Sequence, residues 1–199
     1  MLTTSYGTGE LIRDALERGC RNFIIGIGGS ATNDAGLGML QALGFRFLDK
    51  EGKILETGNG KILMEVASID TSFVHPDLRT SHFTVACDVQ NPFYGLEGAA
   101  YIFAPQKGAD RKMVEALDAG MKNFAEVIFH TTGKDISNHS GTGAAGGMGG
   151  SLLAFLNAKL KPGIQLMLET LDFSNKIKGA DLIITGEGKA DKQTLMGKV

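Results

Sequence analysis

Acidic side chains stand directly after two apolar runs of the sequence, where they could hold a metal ion or accept a proton. Asp88 follows Phe83–Cys87, and Glu187 and Asp191 follow Leu182–Thr185. If both runs are strands of a parallel sheet, these carboxylates lie at the edge where ligands of α/β proteins bind. We therefore predict Asp88 and Glu187 as ligands of Mg²⁺, which prefers oxygen donors, and Asp88 and Asp191 as candidate proton acceptors.

Three lysines are candidates for binding a negatively charged group. Lys107 lies in the segment Pro105–Gly108, and Lys189 and Lys198 lie close to the last predicted acids. Phosphoryl transfer needs cations, because the charge on the group that moves must be offset. We predict Lys189 as a catalytic cation and Lys107 as a cofactor-binding residue, with a solvated surface charge as the alternative for each.

A first cluster of small residues, Gly26–Asp34, lies between a predicted strand and a predicted helix. Backbone N–H groups with no side chain in front of them, together with a helix N-terminus, can bind an anion. We predict that Gly28, Gly29 and Ser30 bind the cofactor, with a simple tight turn as the alternative. The cluster also matches a loose dinucleotide-binding pattern, and Asp49 stands at about the expected distance. A Rossmann-like, nicotinamide-dependent dehydrogenase is therefore a second candidate function.

A second cluster of small residues, Gly141–Gly150, precedes another predicted helix. Two anion-binding loops exceed what one dinucleotide pyrophosphate needs, which favours phosphoryl transfer. The motif G-x-x-x-x-G-K-[ST] does not occur in the sequence, so these loops would bind phosphate in another way. We predict Thr142, Gly143, Gly146 and Gly147 as cofactor-binding residues, with close helix packing through glycine and alanine as the alternative.

The elements that must position these residues alternate between strands and helices. Apolar runs predict strands at residues 22–27, 45–48, 83–87, 101–104 and 180–185, and helical periodicity predicts helices at residues 10–18, 35–43, 110–132 and 148–160. This order predicts a three-layer α/β fold, with a largely parallel or mixed sheet and helices on both faces. No Pro- or Ser-rich linker divides residues 1–199, which predicts a single unit.

Composition and charge exclude several classes of protein. The chain has 199 residues, 28 of them glycine, and a net charge of -2, with no basic stripe that could neutralise the phosphates of a nucleic acid. No apolar run approaches the roughly 20 residues that span a bilayer. Two cysteines and the lack of a signal-peptide pattern are typical of a reducing compartment, so we expect a cytoplasmic protein that binds neither nucleic acid nor membrane.

In order along the chain, five segments resemble the bacterial type I glycerate kinases. They are Ser5–Ile12, Gly28–Gly38, Cys87–Pro92 with Gln106–Ala109, Gly141–Gly150 and Thr185–Asp191. The resemblance covers essentially the whole chain and is more specific than the dinucleotide pattern. It implies ATP-dependent phosphorylation of D-glycerate with Mg²⁺, in a two-domain α/β enzyme whose active site lies in a cleft.

Members of this family extend beyond this chain at both ends. The resemblance therefore implies that residues 1–199 are an interior piece, which contains the inserted domain of the enzyme and its adjoining strands. The partners of the piece would be D-glycerate and the missing N- and C-terminal parts of the same enzyme. On this view the isolated piece can be inactive.

The reaction that the resemblance implies leads to a hypothesis for the mechanism, in which residues are assigned by their type and by their place after the predicted strands. The hydroxyl of D-glycerate attacks the terminal phosphoryl group of ATP, Asp191 or Asp88 accepts the proton, and Glu187 or Asp88 holds Mg²⁺. The two glycine clusters and Lys107 bind phosphate or carboxylate oxygens, and either cluster can take either substrate. A noncatalytic nucleotide-binding fragment is the remaining alternative. The hydroxyl that is phosphorylated and the oligomeric state stay open.

Overall fold

A parallel sheet holds the loops that carry the candidate site residues. The computed structural model describes residues 1–184 and Gly186. The described residues form the strands β1 (Asn22–Gly26), β2 (Arg46–Leu48), β3 (Ser68–Asp70), β4 (His82–Ala86) and β5 (Lys159–Lys161). β1, β4 and β5 pair in parallel with β4 in the centre, and β2 and β3 form a separate antiparallel pair. The predicted α/β fold with a parallel or mixed sheet is confirmed.

Helices connect the strands. They are α1 (Tyr6–Glu17), α2 (Leu37–Ala42), α3 (Ala99–Phe103), α4 (Arg111–Thr132), α5 (Met148–Leu156), α6 (Gly163–Thr170) and α7 (Phe173–Lys176), with 3₁₀ turns at Ile62–Met64, Pro76–Thr80 and Pro105–Lys107. Among the described residues, no helix combines the length and the apolar character that crossing a membrane requires.

Helix α4 has the apolar face that its periodicity predicts. The Asp110 carboxylate accepts a hydrogen bond from the N–H of Met113 at 2.8 Å, which caps the first turn. Gly133 follows the last turn with φ +74°, a backbone conformation that favours glycine. Met121 and Phe124 on the inner face are fully buried in the main core. The predicted helix at residues 110–132 is confirmed.

The two faces of the parallel sheet differ in burial. Phe23 of β1 and Phe83 of β4 lie side by side, with ring centroids 4.7 Å apart, and belong to the core. Val85 on the same face is fully buried, whereas Ile24 on the opposite face is 61% exposed. Side chains of a strand alternate between faces, so the continuous apolar run of β1 predicts the strand but not the exposure of one face.

Three predicted elements differ from the described structure: the strand at residues 101–104, the described residues 180–184 of the strand at 180–185, and the end of the helix at 148–160. The helix ends at Leu156, because Asn157 takes a left-handed backbone conformation, and residues 159–161 form β5. Residues 101–104 lie in and just after α3, which packs on α4 and in which Ala99 and Ala100 are fully buried. This burial outweighs the strand preference of aromatic and β-branched residues. Residues 182–184 are exposed and pair with no strand among the described residues. A strand needs a hydrogen-bonded neighbour, which this segment lacks in the described part of the chain.

Candidate active site

A pocket of about 230 Å³ lies where β1 and β4 end, and we call it the lysine pocket. It is lined by residues 27–30, 86–89, 103, 106–107 and 144–145. Among these lining residues, Lys107 is the one basic side chain and Asp88 the one acidic side chain. The carboxyl ends of parallel strands are where α/β proteins bind their ligands, so the pocket is the candidate active site.

Lys107 is held against the first glycine cluster by two hydrogen bonds. Its Nζ donates to Ser30 Oγ at 2.8 Å and to the carbonyl oxygen of Thr32 at 2.6 Å. An ammonium group has three N–H donors, so one remains for a ligand. Burial lowers the pKa of Lys107 below its ordinary value of 10.5, and the negative charge of Asp34 opposes this shift. Lys107 is therefore a half-buried, fixed cation in the wall of the pocket.

The backbone of the first glycine cluster is open where it lines the pocket. Within the described part of the chain, the N–H groups of Gly28, Gly29 and Ser30 donate to no backbone acceptor. Among the described residues, apart from the neighbours in the chain, no atom lies within 4 Å of the place that a Cβ would take at Gly28 or Gly29, and Gly29 has φ +66°. Packing therefore leaves free space in front of both glycines, which a ligand can fill.

The N–H groups at the N-terminus of α2 already donate to acceptors within the protein. Asp34 is fully buried, and its carboxylate accepts hydrogen bonds from Ser5 N at 2.7 Å and Ser5 Oγ at 2.8 Å. It also accepts weaker bonds from the N–H groups of Gly36 and Gly38, and Ser5 Oγ accepts the N–H of Met39. The Asp34 carboxylate thus stands where an external anion would bind a helix N-terminus. No local pattern in the sequence indicates this role, although Ser5 and Asp34 both lie in segments that carry the family resemblance.

The dinucleotide-binding interpretation is not favoured by this geometry. It requires a pyrophosphate at the N-terminus of the helix after β1, and Asp34 occupies that position. Asp49 does not serve a cofactor ribose here, because its Oδ1 accepts the N–H groups of Glu51 and Lys53 in a local turn. It follows β2, which pairs with β3 and lies outside the parallel sheet.

The second glycine cluster is packed inside the protein. A Cβ at Gly143 would lie 2.2 Å from the carbonyl oxygen of Pro92, and a Cβ at Gly146 would lie 2.2 Å from that of Thr32. The N–H groups of residues 147–150 already donate to carbonyl oxygens of the same cluster. These contacts support close packing, the alternative interpretation of this cluster, at Gly143 and Gly146.

The residues that the sequence predicts as cofactor-binding in this cluster are Thr142, Gly143, Gly146 and Gly147. None of them lines the lysine pocket, and the cluster reaches the pocket through Ala144 and Ala145. Their binding of ATP stays a prediction. The sequence could not distinguish an open loop from a packed one. The carbonyl groups that lie against Gly143 and Gly146 belong to Pro92 and Thr32, which are distant in the sequence.

Asp88 is brought to the pocket as predicted from its place after β4. One of its oxygens, Oδ1, accepts the N–H of Gly163 at 2.7 Å, which caps the start of α6. The side chain therefore has a structural contact as well as a place in the pocket wall. Glu187, Lys189, Lys198 and Asp191 lie outside the described residues, and their roles stay predictions.

Cys87 lies in the pocket wall next to Asp88. Its Sγ is 3.3 Å from the carbonyl oxygen of Val89 and 3.8 Å from that of Gly141. Burial raises the pKa of the Cys87 thiol above its ordinary value of 9.0, and the charge of Asp88 adds to this shift. Because the thiolate is the reactive form, we expect Cys87 to be a slow nucleophile at neutral pH.

We expect Cys87 to react with iodoacetamide about tenfold more slowly than the exposed Cys20 at pH 8. The comparison uses Cys20→Ser and Cys87→Ser variants, each with one thiol left, and mass spectrometry to follow alkylation. The rate at Cys87 should still rise with pH above 9.0, because more thiolate forms as the pH approaches the raised pKa. A rate at Cys87 that levels off below pH 9.0 would contradict the raised pKa.

Comparisons with known proteins agree with the resemblance in the sequence. The sequence model of the glycerate kinase family matches residues 1–199. A glycerate kinase of Haemophilus influenzae is 52% identical over 198 residues, and a glycerate 2-kinase of Escherichia coli is 49% identical over 199 residues. Each match covers 100% of this chain and 52% of the relative, so the chain spans about half the length of these curated relatives.

A solved structure gives the same result for the fold. The crystal structure of a protein assigned as glycerate kinase 2 from Salmonella typhimurium LT2 matches with a TM-score of 0.88 and 49% sequence identity. The match covers 97% of this chain and 51% of that chain. Since sequence and fold both agree along the chain rather than at one motif, the chain belongs to the glycerate kinase family.

Proposed function

We propose that this chain forms part of a kinase that transfers the terminal phosphoryl group of ATP to D-glycerate. Family membership supports this reaction class. The observation that carries the proposal is that Lys107 and Asp88 line one pocket at the strand ends. A fixed cation and a carboxylate are the two kinds of group that phosphoryl transfer to a hydroxyl needs. A cytoplasmic location belongs to the same proposal.

The pocket residues have separate roles in this reaction. The hydroxyl oxygen of D-glycerate attacks the γ-phosphorus of ATP, the bond to the β-phosphate oxygen breaks, and ADP leaves. Asp88, or Asp191 outside the described residues, accepts the hydroxyl proton. Lys107 offsets negative charge on the bound substrates, and Lys189 is proposed as a second cation. Phe103 gives the pocket wall an apolar surface.

Asp88 also fits a role as a ligand of Mg²⁺. The described residues contain no group of three or more His, Cys, Asp or Glu side chains that could form a metal site on their own. Mg²⁺ in kinases is held by one or two carboxylates together with substrate phosphates and water, so such a group is not required. Asp88 gives one oxygen to Gly163, which leaves its second oxygen for a cation. Bound Mg²⁺ would neutralise charge on the phosphate oxygens, with Glu187 or Asp88 as the proposed ligand. If Asp88 holds Mg²⁺, Asp191 is the proposed proton acceptor.

The proposal extends to how the chain works in the whole protein. We propose that residues 1–199 contain the inserted domain and adjoining strands of a two-domain kinase, because the relatives are about twice as long as the part they share with this chain. In this arrangement the rest of the protein completes the cleft beside the lysine pocket.

ADP formation from ATP, Mg²⁺ and D-glycerate tests this function directly. The assay compares this chain with a protein extended to family length at both ends. We expect ADP formation that depends on D-glycerate in the longer protein, and much less in the shorter one. If both proteins are folded by circular dichroism and neither is active, the proposed function is wrong. Quenching or enhancement of NADH fluorescence in that case would support the dinucleotide-binding alternative instead.

A further inference from the structure

We infer that the lysine pocket binds the carboxylate of the three-carbon acid, and that the nucleotide binds outside this pocket. The inference rests on the proposed kinase function and names which of its two substrates Lys107 holds. From the sequence, the first glycine cluster could bind either phosphate or carboxylate oxygens, and the inference assigns it to the carboxylate.

The described part of the pocket has enough space for the acid. Its volume of about 230 Å³ lies below the roughly 300–1,000 Å³ of pockets that enclose drug-sized ligands. A nucleoside triphosphate carries a base, a ribose and three phosphates, which belong to that larger class. A three-carbon acid is much smaller and fits within the available space.

The charge of the pocket wall points to the same ligand. Lys107 is the one cation among the described lining residues, and the Asp88 carboxylate lies in the same wall. This balance suits a ligand with a single negative charge better than a triphosphate. The apolar side chains of Ile27 and Phe103 suit the short carbon chain of the acid.

The hydrogen-bond donors match a carboxylate. Lys107 Nζ donates two of its three N–H groups to Ser30 and Thr32, and the third can donate to a carboxylate oxygen. The N–H groups of Gly28 and Gly29 donate to no backbone acceptor in the described part of the chain, so they can serve the second oxygen. Hydrogen bonds between a charged donor and a carboxylate are about twice as strong as neutral ones.

Steady-state kinetics of the Lys107→Met variant tests the inference in the protein of family length. We expect the KM for D-glycerate to rise about 10- to 100-fold, because one charge-assisted contact is lost, while the KM for ATP stays unchanged. The preference for D-glycerate over glycerol, which lacks the carboxylate, should fall by the same factor. Lys112→Met is the matched control, since Lys112 is exposed on α4 and outside the pocket.

A purely structural role for Lys107 would not change the discrimination between D-glycerate and glycerol. If Lys107→Met does not fold, Lys107→Gln is the second variant, because it keeps a donor for Ser30 and removes the charge. A rise in the KM for ATP with no change in the KM for D-glycerate would overturn the inference and assign the pocket to the nucleotide.

Binding can be read separately from turnover through Cys87, which lines the same pocket. In the Cys20→Ser variant of this chain, D-glycerate should slow alkylation of Cys87, and Lys107→Met should abolish this protection. If D-glycerate protects Cys87 but the longer protein has no kinase activity, the carboxylate site is supported and the proposed function is wrong. If a nonhydrolysable ATP analogue protects Cys87 from alkylation and D-glycerate does not, the inference is wrong and the proposed kinase function is unaffected.

Discussion

In a protein of family length, Asp88→Asn is expected to lower the rate of D-glycerate-dependent ADP formation by about 10²- to 10⁴-fold, the usual contribution of a positioned proton acceptor. Asparagine keeps an oxygen that can accept the N–H of Gly163, so the cap of α6 is retained. The negative charge in the lysine pocket is lost. The rate is measured with both substrates saturating, and circular dichroism confirms that the variant is folded.

The matched control for this variant is Asp110→Asn. Asp110 also accepts an N–H at the start of a helix, α4, but lies outside the lysine pocket, so activity should stay unchanged. If a higher Mg²⁺ concentration restores ADP formation by the Asp88→Asn variant, Asp88 is a metal ligand. If it does not, the result favours Asp88 as the proton acceptor. A loss smaller than tenfold would exclude both roles and leave Asp191 as the acid to test.

Asp34→Ala is expected to lower the free energy of unfolding of this chain by about 3–5 kcal/mol, since each hydrogen bond to a charged group contributes about 1.5–3 kcal/mol and the bonds are not additive. The carboxylate is fully buried and joins Ser5, before α1, to the N-terminus of α2. Its removal leaves several buried N–H groups and one hydroxyl without an acceptor. Urea unfolding followed by circular dichroism measures the change.

Two further variants make the Asp34 result specific. Asp34→Asn keeps one acceptor oxygen, so it should lose less stability than Asp34→Ala. Asp14→Ala removes an exposed aspartate of α1 that pairs with Arg18 at the surface, and its effect should be at most a few tenths of a kcal/mol. Equal stability of Asp34→Ala and Asp14→Ala would show that the buried carboxylate does not hold the two helices together.

The parts of this protein that the sequence predicts well depend on local patterns. An apolar run is sufficient to predict β1 and β4, and regular spacing is sufficient to predict α4. Once two strands are parallel, the residues that follow them must lie at one edge, so Asp88 and Gly28 could be placed together before the structure was known.

The parts that the sequence predicts less well depend on distant contacts. Small residues suit an open loop and a packed loop equally, and the difference at Gly143 and Gly146 is made by the carbonyl groups of Pro92 and Thr32. The role of Asp34 depends in the same way on Ser5, which is 29 residues away in the sequence. Tyr101, Ile102 and Phe103 have strand-forming side chains, yet they lie in α3, which packs against α4, a helix that begins several residues later in the sequence.

The two bonds that hold Lys107 also have an entropic consequence. A lysine side chain that is free on a surface loses about 1.5–2 kcal/mol of rotamer freedom when a ligand fixes it. Ser30 and Thr32 fix the ammonium group through contacts within the protein, so this loss occurs during folding rather than during binding. The cation is preorganised for an anion. In the proposed carboxylate site, the first glycine cluster would therefore strengthen anion binding through the freedom that it removes from a neighbouring side chain, in addition to any contact of its own.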